Sequence, residues 1–400
     1  MWRLGFFFHK MAFGLLSVFI PLYMVSSSNR GLGGSLVDLG IMISVALLFS
    51  IPASFFWGFI CDRLKRYKPF ILLSFLSSAL LLVIFTLASN IALFMALYVV
   101  MYVLYVACEA PKNVLIAEHY SRDDWEKSYS LYQQFTEIGW LLGLFLGLIA
   151  STYGLTPQYT LFLCSGLSLI AFFITLFRVT DPLIIFERRL VGIEKKIDNT
   201  YRGAVVASQL LNGHSPTESL KTERFLGFGL AIVFFSLAST LFFTPMPIFF
   251  AQELGLSVET IFIIYMLTSA GAMAGYFLVS RVTRETNSKK HLRRVVLVRS
   301  LLVFSAVAIV QSAFYTVFLI PAVLMLLNLA YAVYYVLVLS LSMELMPAGK
   351  SGIFDVSVGL GTASGSFLGP FIAQTMGFLP QFLIAGTIFF LAFIILRVIT

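Results

Sequence analysis

Several ionisable side chains stand inside long apolar stretches of this 400-residue chain, among them Lys10, Glu109, Lys112 and Glu137. A charge is costly in apolar surroundings, so such residues usually pair with one another or face a water-filled cavity. A carboxylate of this kind could exchange a basic partner for a proton or a charged ligand, which is the chemistry of ion coupling. A fixed ion pair near a wetted mouth would use the same residues, and the sequence leaves both interpretations open.

The composition indicates whether these charges lie in a water-soluble protein or in a membrane. Hydrophobic residues make up 59% of the chain and charged residues 12%, against about 45–50% and 25% in soluble domains. Apolar runs of about 20 residues recur, and each could cross a bilayer as a helix. The net charge of +8 fits the excess of basic residues in cytoplasmic loops. We therefore expect a multi-pass protein of the cell membrane in contact with lipids, and no nucleic-acid partner.

The apolar runs predict twelve spans. They lie near 5–27, 36–60, 69–89, 91–117, 128–151, 158–178, 225–250, 258–280, 295–313, 315–342, 351–375 and 380–399. The first run could also be a cleaved signal peptide, but its apolar part is long and no A-x-A site follows. We expect it to be the first span.

Lysine and arginine fall on alternate connections between these spans. One set contains the basic residues at 63–68, 122–127, 179–224, 281–294 and 350, and the tail carries Arg397. The other set contains only Arg30. This asymmetry predicts that both termini lie in the cytoplasm.

The two halves of the chain resemble each other. The segment "IASTYGLTPQ" at 149–158 returns as "IAQTMGFLPQ" at 372–381, and the ladder Gly139, Gly143, Gly147 returns as Gly361, Gly365, Gly369. We predict an all-α membrane protein of two six-helix bundles related by a parallel repeat, with bundles at 1–178 and 225–400. The linker 179–224 carries an amphipathic pattern over 183–197, which predicts a helix on the membrane surface or a plain tether.

The charged stretch after the second apolar run provides a recognisable motif. It follows the pattern G-x-x-x-D-R-x-G-R-[RK] at four positions: Gly58, Asp62, Arg63 and Arg66. Lys65 stands where the pattern has glycine, and Tyr67 where it has a second basic residue. With its duplicated twelve-span plan, the chain resembles the major facilitator superfamily of secondary transporters over nearly its whole length.

The resemblance implies transport by alternating access, in which the matched residues latch the cytoplasmic gate in one state. Asp355, a few residues into span 11, is expected at the gate or rim. The simpler interpretation of the motif is that its basic residues only anchor span 2 at the membrane surface.

The resemblance also implies that spans 1, 4, 7 and 10 line a central cavity. It then places Lys10, Glu109 and Lys112 beside the site together with Tyr105, Asn328 and Tyr331, whose polar groups could orient a cargo. Ordinary packing is the alternative for each tyrosine. Glu137, in span 5, is the other candidate coupling group. Arg299, on an outer span of that plan, is expected to snorkel.

Several other function classes find little support in the sequence. Cys61, Cys108 and Cys164 show no ligand spacing, and the four histidines are scattered, so neither metal nor cofactor is expected. The Walker motif of an ATP-driven importer subunit and the H-E-x-x-H of a membrane protease are absent from the sequence. We therefore expect no enzyme, although a sensor that binds without transporting stays possible.

The sequence predicts a monomeric secondary active transporter of a small molecule, coupled to protons or another ion. A multidrug antiporter is one alternative and an uncoupled uniporter another. Drug antiporters of the family carry a Gly-Pro ending in span 5 and an arginine early in span 4; here Leu148 follows the span 5 ladder and 91–105 holds no arginine. Pro245 and Pro247 should bend or break span 7.

Overall fold

The computed structural model describes residues 3–26, 31–88, 90–119, 125–181, 218–281, 288–312, 316–345 and 352–399. These ranges contain twelve helical spans long and apolar enough to cross a membrane, which confirms the predicted count. The spans are Arg3–Val25, Leu36–Leu64, Lys68–Phe85, Ile91–Tyr105 with Glu109–His119, Trp125–Thr152, Pro157–Arg178, Glu218–Phe243 with Met246–Ile248, Val258–Arg281, Ser288–Ser312, Thr316–Leu345, Gly352–Met376 and Phe378–Ile399. They are numbered 1 to 12 in that order.

Short polar side chains begin two of the spans. Ser35 accepts a hydrogen bond from the Asp38 amide at 3.1 Å, and Asp38 accepts one from the Ser35 amide at 2.9 Å. Asn90 accepts a hydrogen bond from the Leu93 amide at 2.7 Å. Such caps satisfy amide groups that the first turn of a helix leaves without partners.

Two spans are interrupted. Span 7 stops at Phe243, ahead of the two prolines, and continues through a π-helical turn at Phe249–Glu253, so the predicted break is confirmed. Span 4, predicted near 91–117, contains a 3₁₀ turn at Val106–Cys108. Pro111, three residues after the turn, has no amide hydrogen to donate to the carbonyl of Ala107 within it, which explains the tightening.

Both glycine ladders pack against the first helix of their own half, except at Gly147, which contacts Phe262 of span 8. A methyl group added at Gly143 would overlap the carbonyl oxygen of Met11 in span 1, and one added at Gly365 would overlap that of Leu237 in span 7. Small residues allow this close approach of two backbones. The repeated sequence is thus a repeated contact, as the duplication predicts.

The halves meet at both ends of the bundle. We call the end that carries the basic connections the inner end and the opposite end the outer end. At the outer end the Val37 amide donates to Gln374 Oε1 at 2.8 Å. Near the inner end the Tyr129 hydroxyl donates to the Tyr335 hydroxyl at 3.3 Å. The predicted amphipathic helix at 183–197 lies outside the described residues, and span 7 begins at Glu218, before the expected boundary at 225.

Candidate functional site

Lys10 joins span 1 to span 4. Its ammonium donates a hydrogen bond to the Tyr105 hydroxyl at 3.0 Å and lies 5.9 Å from the ring centre of Trp140 in span 5. Trp140 is one helical turn from Glu137, so Lys10 lies beside the part of span 5 that carries this carboxylate. No carboxylate among the described residues lies within 4.0 Å of Lys10.

Glu109 and Lys112 form an ion pair on the second helix of span 4. It is the one ion pair within 4.0 Å between two side chains that the structure describes. The Lys112 side chain is 10% exposed and that of Glu109 35% exposed, so the pair is partly shielded from water. Of the lysine–glutamate pairings that the sequence allowed, the structure forms only this one among the described side chains. Lys10 instead donates a hydrogen bond to a tyrosine.

Glu137 lies on the face of span 5 that meets the other half. Its Oε2 accepts a hydrogen bond from the Ser269 hydroxyl of span 8 at 3.4 Å. The same two helices make a second contact of this kind at the outer end, where Ser151 of span 5 donates to Glu259 of span 8 at 2.6 Å. Glu137 is about 12 Å beyond Tyr129, where the apolar part of its span begins, whereas Glu259 is at the end of its own span.

A cavity of about 190 Å³ opens within the carboxyl-terminal half. Its walls come from spans 7, 9, 10 and 11, and every lining residue that the structure describes belongs to that half. Asn328, Tyr331 and Tyr335 line it, whereas Tyr105 does not. The two best candidates from span 10 are therefore brought together at one cavity, and the charged residues of spans 1, 4 and 5 are placed elsewhere.

Arg299 also lines this cavity, and its side chain is 0% exposed. Its guanidinium carbon lies 4.9 Å from the ring centres of Phe235 and Phe389 and 5.1 Å from that of Tyr331. The expectation that it snorkels is wrong. Residue 299 is ten positions beyond Lys289, the first residue of the apolar part of the span, which is about 15 Å and too deep for the side chain to reach the membrane surface.

One signal for Arg299 was available in the sequence. An arginine in the middle of a span with no acidic residue near it is by default a functional residue. The family plan places its helix on the outside of the bundle, which favours snorkelling instead. The aromatic side chains around it come from spans 7, 10 and 12, which no local pattern connects.

None of the gate candidates is among the described lining residues of the cavity, although Asp355 directly follows Phe354, which is. Arg63 and Arg66 are exposed at the end of span 2, and Asp355 is exposed in the first turn of span 11. A methyl group at Gly58 would meet only Ala110 of the same half, at 4.0 Å, so this glycine is not at a close helix crossing. The Asp62 side chain lies outside the described residues, and the latch stays a prediction.

Lys65 occupies the position where the motif has glycine. It ends span 2 in the left-handed conformation, with φ 53° and ψ 30°, and is the one non-glycine residue with positive φ that the described ranges contain. Residues with a Cβ rarely adopt this conformation, which explains the usual glycine. The chain then turns into span 3, whose first amides, Tyr67 and Lys68, donate to Asp181 at 2.8 and 2.7 Å. This cap from a distant residue was not anticipated.

Comparison with known proteins identifies the architecture. The family model described as "Major Facilitator Superfamily" matches residues 4–354. The chain belongs to this superfamily. Multidrug resistance protein MdtG from Escherichia coli K12 strain DH10B is 33% identical over 179 residues, which span 44% of this chain and 43% of MdtG. The chain therefore aligns with less than half the length of this curated relative.

Two solved structures share the superfamily fold over the full chain. A POT family transporter in complex with 5-aminolevulinic acid matches with a TM-score of 0.72 and 12% identity, covering 100% of this chain and 94% of that one. The human organic anion transporter MFSD10 (TETRAN) matches with a TM-score of 0.66 and 16% identity, covering 99% and 97%. At these identities the likeness establishes the fold. The superfamily assignment and the relatives fit a multi-pass membrane transporter and not an enzyme.

Proposed function

We propose that the protein is a secondary active transporter that couples proton movement to the movement of a small molecule by alternating access. The observation that carries the proposal is the position of Glu137, a carboxylate well inside the bundle that contacts the opposite half through Ser269. Any movement of one half against the other changes this contact, so the energy of the movement depends on the charge of Glu137.

The two protonation states of the Glu137 carboxyl group favour different surroundings. An ionised Glu137 can only accept hydrogen bonds, and it is favoured by the positive charge of Lys10 on the neighbouring helix. A protonated Glu137 carries no charge to desolvate and can donate as well. Proton binding therefore changes which arrangement of the halves is favoured, and the arrangement changes the proton affinity in return.

The Glu109–Lys112 pair has a different role in this scheme. Its charges neutralise each other within one helix, so it can persist while the halves move. We assign it to holding the second helix of span 4 in place beside the 3₁₀ turn, and assign coupling to Glu137 and Lys10.

Tyr335 links the cavity to the contact between the halves. It lines the cavity and its hydroxyl accepts a hydrogen bond from Tyr129 of span 5. A bound cargo would contact Tyr335 and so change the strength of its hydrogen bond to Tyr129, which joins the two halves near the inner end. Coupled transport requires such a link between cargo binding and the arrangement of the halves. The gate residues of the motif would close the inner end in the alternate state.

The experiment is proton flux in proteoliposomes that contain a pH-sensitive dye, screened over classes of small molecules. The wild-type protein should give a pH change with its cargo, and Glu137→Gln should abolish that change while binding persists. Glu259→Gln is the matched control, because Glu259 also accepts a serine hydroxyl between spans 5 and 8 but lies at the outer end. If Glu137→Gln and Glu259→Gln both retain the flux, the assignment of Glu137 fails. Transport without any pH change would indicate a uniporter.

Drug export is a second candidate, and the 179-residue alignment with MdtG favours it. Expression in a drug-sensitive bacterium should then raise the inhibitory concentration of several unrelated compounds, and Glu137→Gln should remove the effect. Unchanged inhibitory concentrations with a well-expressed protein would exclude this candidate.

We also propose that the protein works as a monomer in the cell membrane with both termini in the cytoplasm. The alternation of basic connections supports this orientation. Tags that are accessible only after permeabilisation at both ends would agree with it, and tags on opposite faces would contradict it.

A further inference from the structure

The cavity in the carboxyl-terminal half has an unusual balance of charge. Among its described lining residues Arg299 is the one cation, and none is an aspartate or glutamate. Buried arginines in folded proteins are normally paired with a carboxylate or with several acceptors, because an isolated charge away from water is costly. Here the guanidinium is surrounded by aromatic rings instead.

Hydrogen-bonding capacity is unused at the same place. Nε and Nη1 of Arg299 are buried and have no hydrogen-bond partner among the described residues, and the same is true of the Ser239 hydroxyl. Both side chains line the cavity. Ring faces compensate part of the charge but accept no conventional hydrogen bond. Two residues that line the same cavity thus keep buried donors without acceptors, and such donors indicate that a ligand supplies the acceptors.

The size and walls of the cavity limit what that ligand can be. A volume of about 190 Å³ exceeds the roughly 150 Å³ of a cavity that holds benzene and is smaller than the 300–1,000 Å³ typical of drug-sized ligands. Phe235, Tyr331 and Tyr334 supply ring faces to the wall, and Asn328 adds a polar side chain. The space therefore suits a single aromatic ring that carries a small polar group.

Resting on the proposed transport function, we propose that this cavity is the cargo site and that it takes a small aromatic anion, a carboxylate or sulfonate whose oxygens are bound by Arg299 and Ser239. The planar guanidinium matches such a group with two parallel hydrogen bonds. The ring of the ligand would lie among the aromatic side chains. A cation of the same shape would be repelled by Arg299, and a neutral analogue would leave the charge uncompensated.

The test is calorimetric titration of the purified full-length protein in detergent, with sodium gluconate as the only salt. Benzenesulfonate is the anionic probe, benzyl alcohol the neutral analogue and benzylammonium the cationic one. We expect benzenesulfonate to bind at least tenfold more tightly than benzyl alcohol, and benzylammonium to show no binding. Equal affinity for the anion and the alcohol, a preference for the cation, or no binding of any probe would overturn the proposal.

Variants then assign the interaction to residues. Arg299→Gln should weaken benzenesulfonate binding at least tenfold and leave benzyl alcohol binding unchanged, whereas Ser239→Ala should give a smaller loss for the anion alone. If Arg299→Gln fails to fold, the comparison of the three probes on the wild-type protein still tests whether the cavity prefers an anion. A loss of both ligands in folded Arg299→Gln would contradict a specific contact with the anionic group.

This experiment separates the inference from the proposed function. Binding in detergent requires no proton gradient, so it is measured on the wild-type protein independently of coupling. If the proteoliposome screen finds a proton-coupled cargo while benzenesulfonate does not bind, the transport proposal stands and the anion site is wrong. If benzenesulfonate binds but no compound moves protons, the site stands and coupling is wrong.

Discussion

The two halves of this protein share one framework and carry different chemistry. In both, a glycine ladder packs a helix against the first helix of the half. In the amino-terminal half, the charges at Lys10, Glu109, Lys112 and Glu137 lie among or beside hydrogen-bonding partners. In the carboxyl-terminal half, Arg299 faces a cavity with no acidic lining residue described. We infer that the duplicated bundle lets one copy provide the proposed ion coupling and the other the proposed cargo site.

The shared framework gives the largest expected effect. Gly143→Ala and Gly365→Ala should each destabilise the protein, because the new methyl group would overlap a backbone carbonyl oxygen of the neighbouring helix. Overpacking of this kind costs about 1–3 kcal/mol. Thermal unfolding in detergent should show a similar loss for both. Gly166→Ala, where an added methyl group meets nothing within 4 Å, is the control, and an equal loss there would refute the packing argument.

The ion pair of span 4 sharpens the contrast between the halves. Glu109→Gln should leave Lys112 uncompensated and destabilise the protein by about 1–2 kcal/mol, between the values for exposed and buried pairs. The double variant Glu109→Gln/Lys112→Met should recover part of that loss in a thermal unfolding measurement. Retention of proton flux in this double variant would agree with a structural role. A loss of proton flux despite normal stability would indicate that this pair, and not Glu137, is the coupling group.

The smallest expected effect concerns the turn after span 2. Lys65→Gly should stabilise the protein by up to about 1 kcal/mol, since glycine adopts the left-handed conformation without a steric penalty. Lys65→Ala keeps the Cβ and removes only the charge, so it is the control and should give no stabilisation. If Lys65→Ala stabilises as much as Lys65→Gly, the effect comes from the charge and not from the backbone.

The sequence predicts the framework because its determinants are local. Span number follows from hydropathy, the break in span 7 from Pro245 and Pro247, and the ladders from small residues at a spacing of four. The cavity depends on contacts between distant spans. The rings around Arg299 come from residues 235, 331 and 389, and the Asp181 cap joins residues more than a hundred positions apart. Sequence reasoning selected Asn328 and Tyr331 but could not place them beside Arg299.

The central claim is that proton coupling resides in the amino-terminal half and cargo binding in the carboxyl-terminal half. The most direct measurement compares two modes of benzenesulfonate movement in proteoliposomes containing Glu137→Gln: exchange of labelled for unlabelled probe, and accumulation driven by a pH gradient. We predict exchange within about twofold of wild type and no driven accumulation, because the loaded carrier can still move but no longer responds to protons. Persistent driven accumulation, or loss of exchange with binding intact, would contradict the claim.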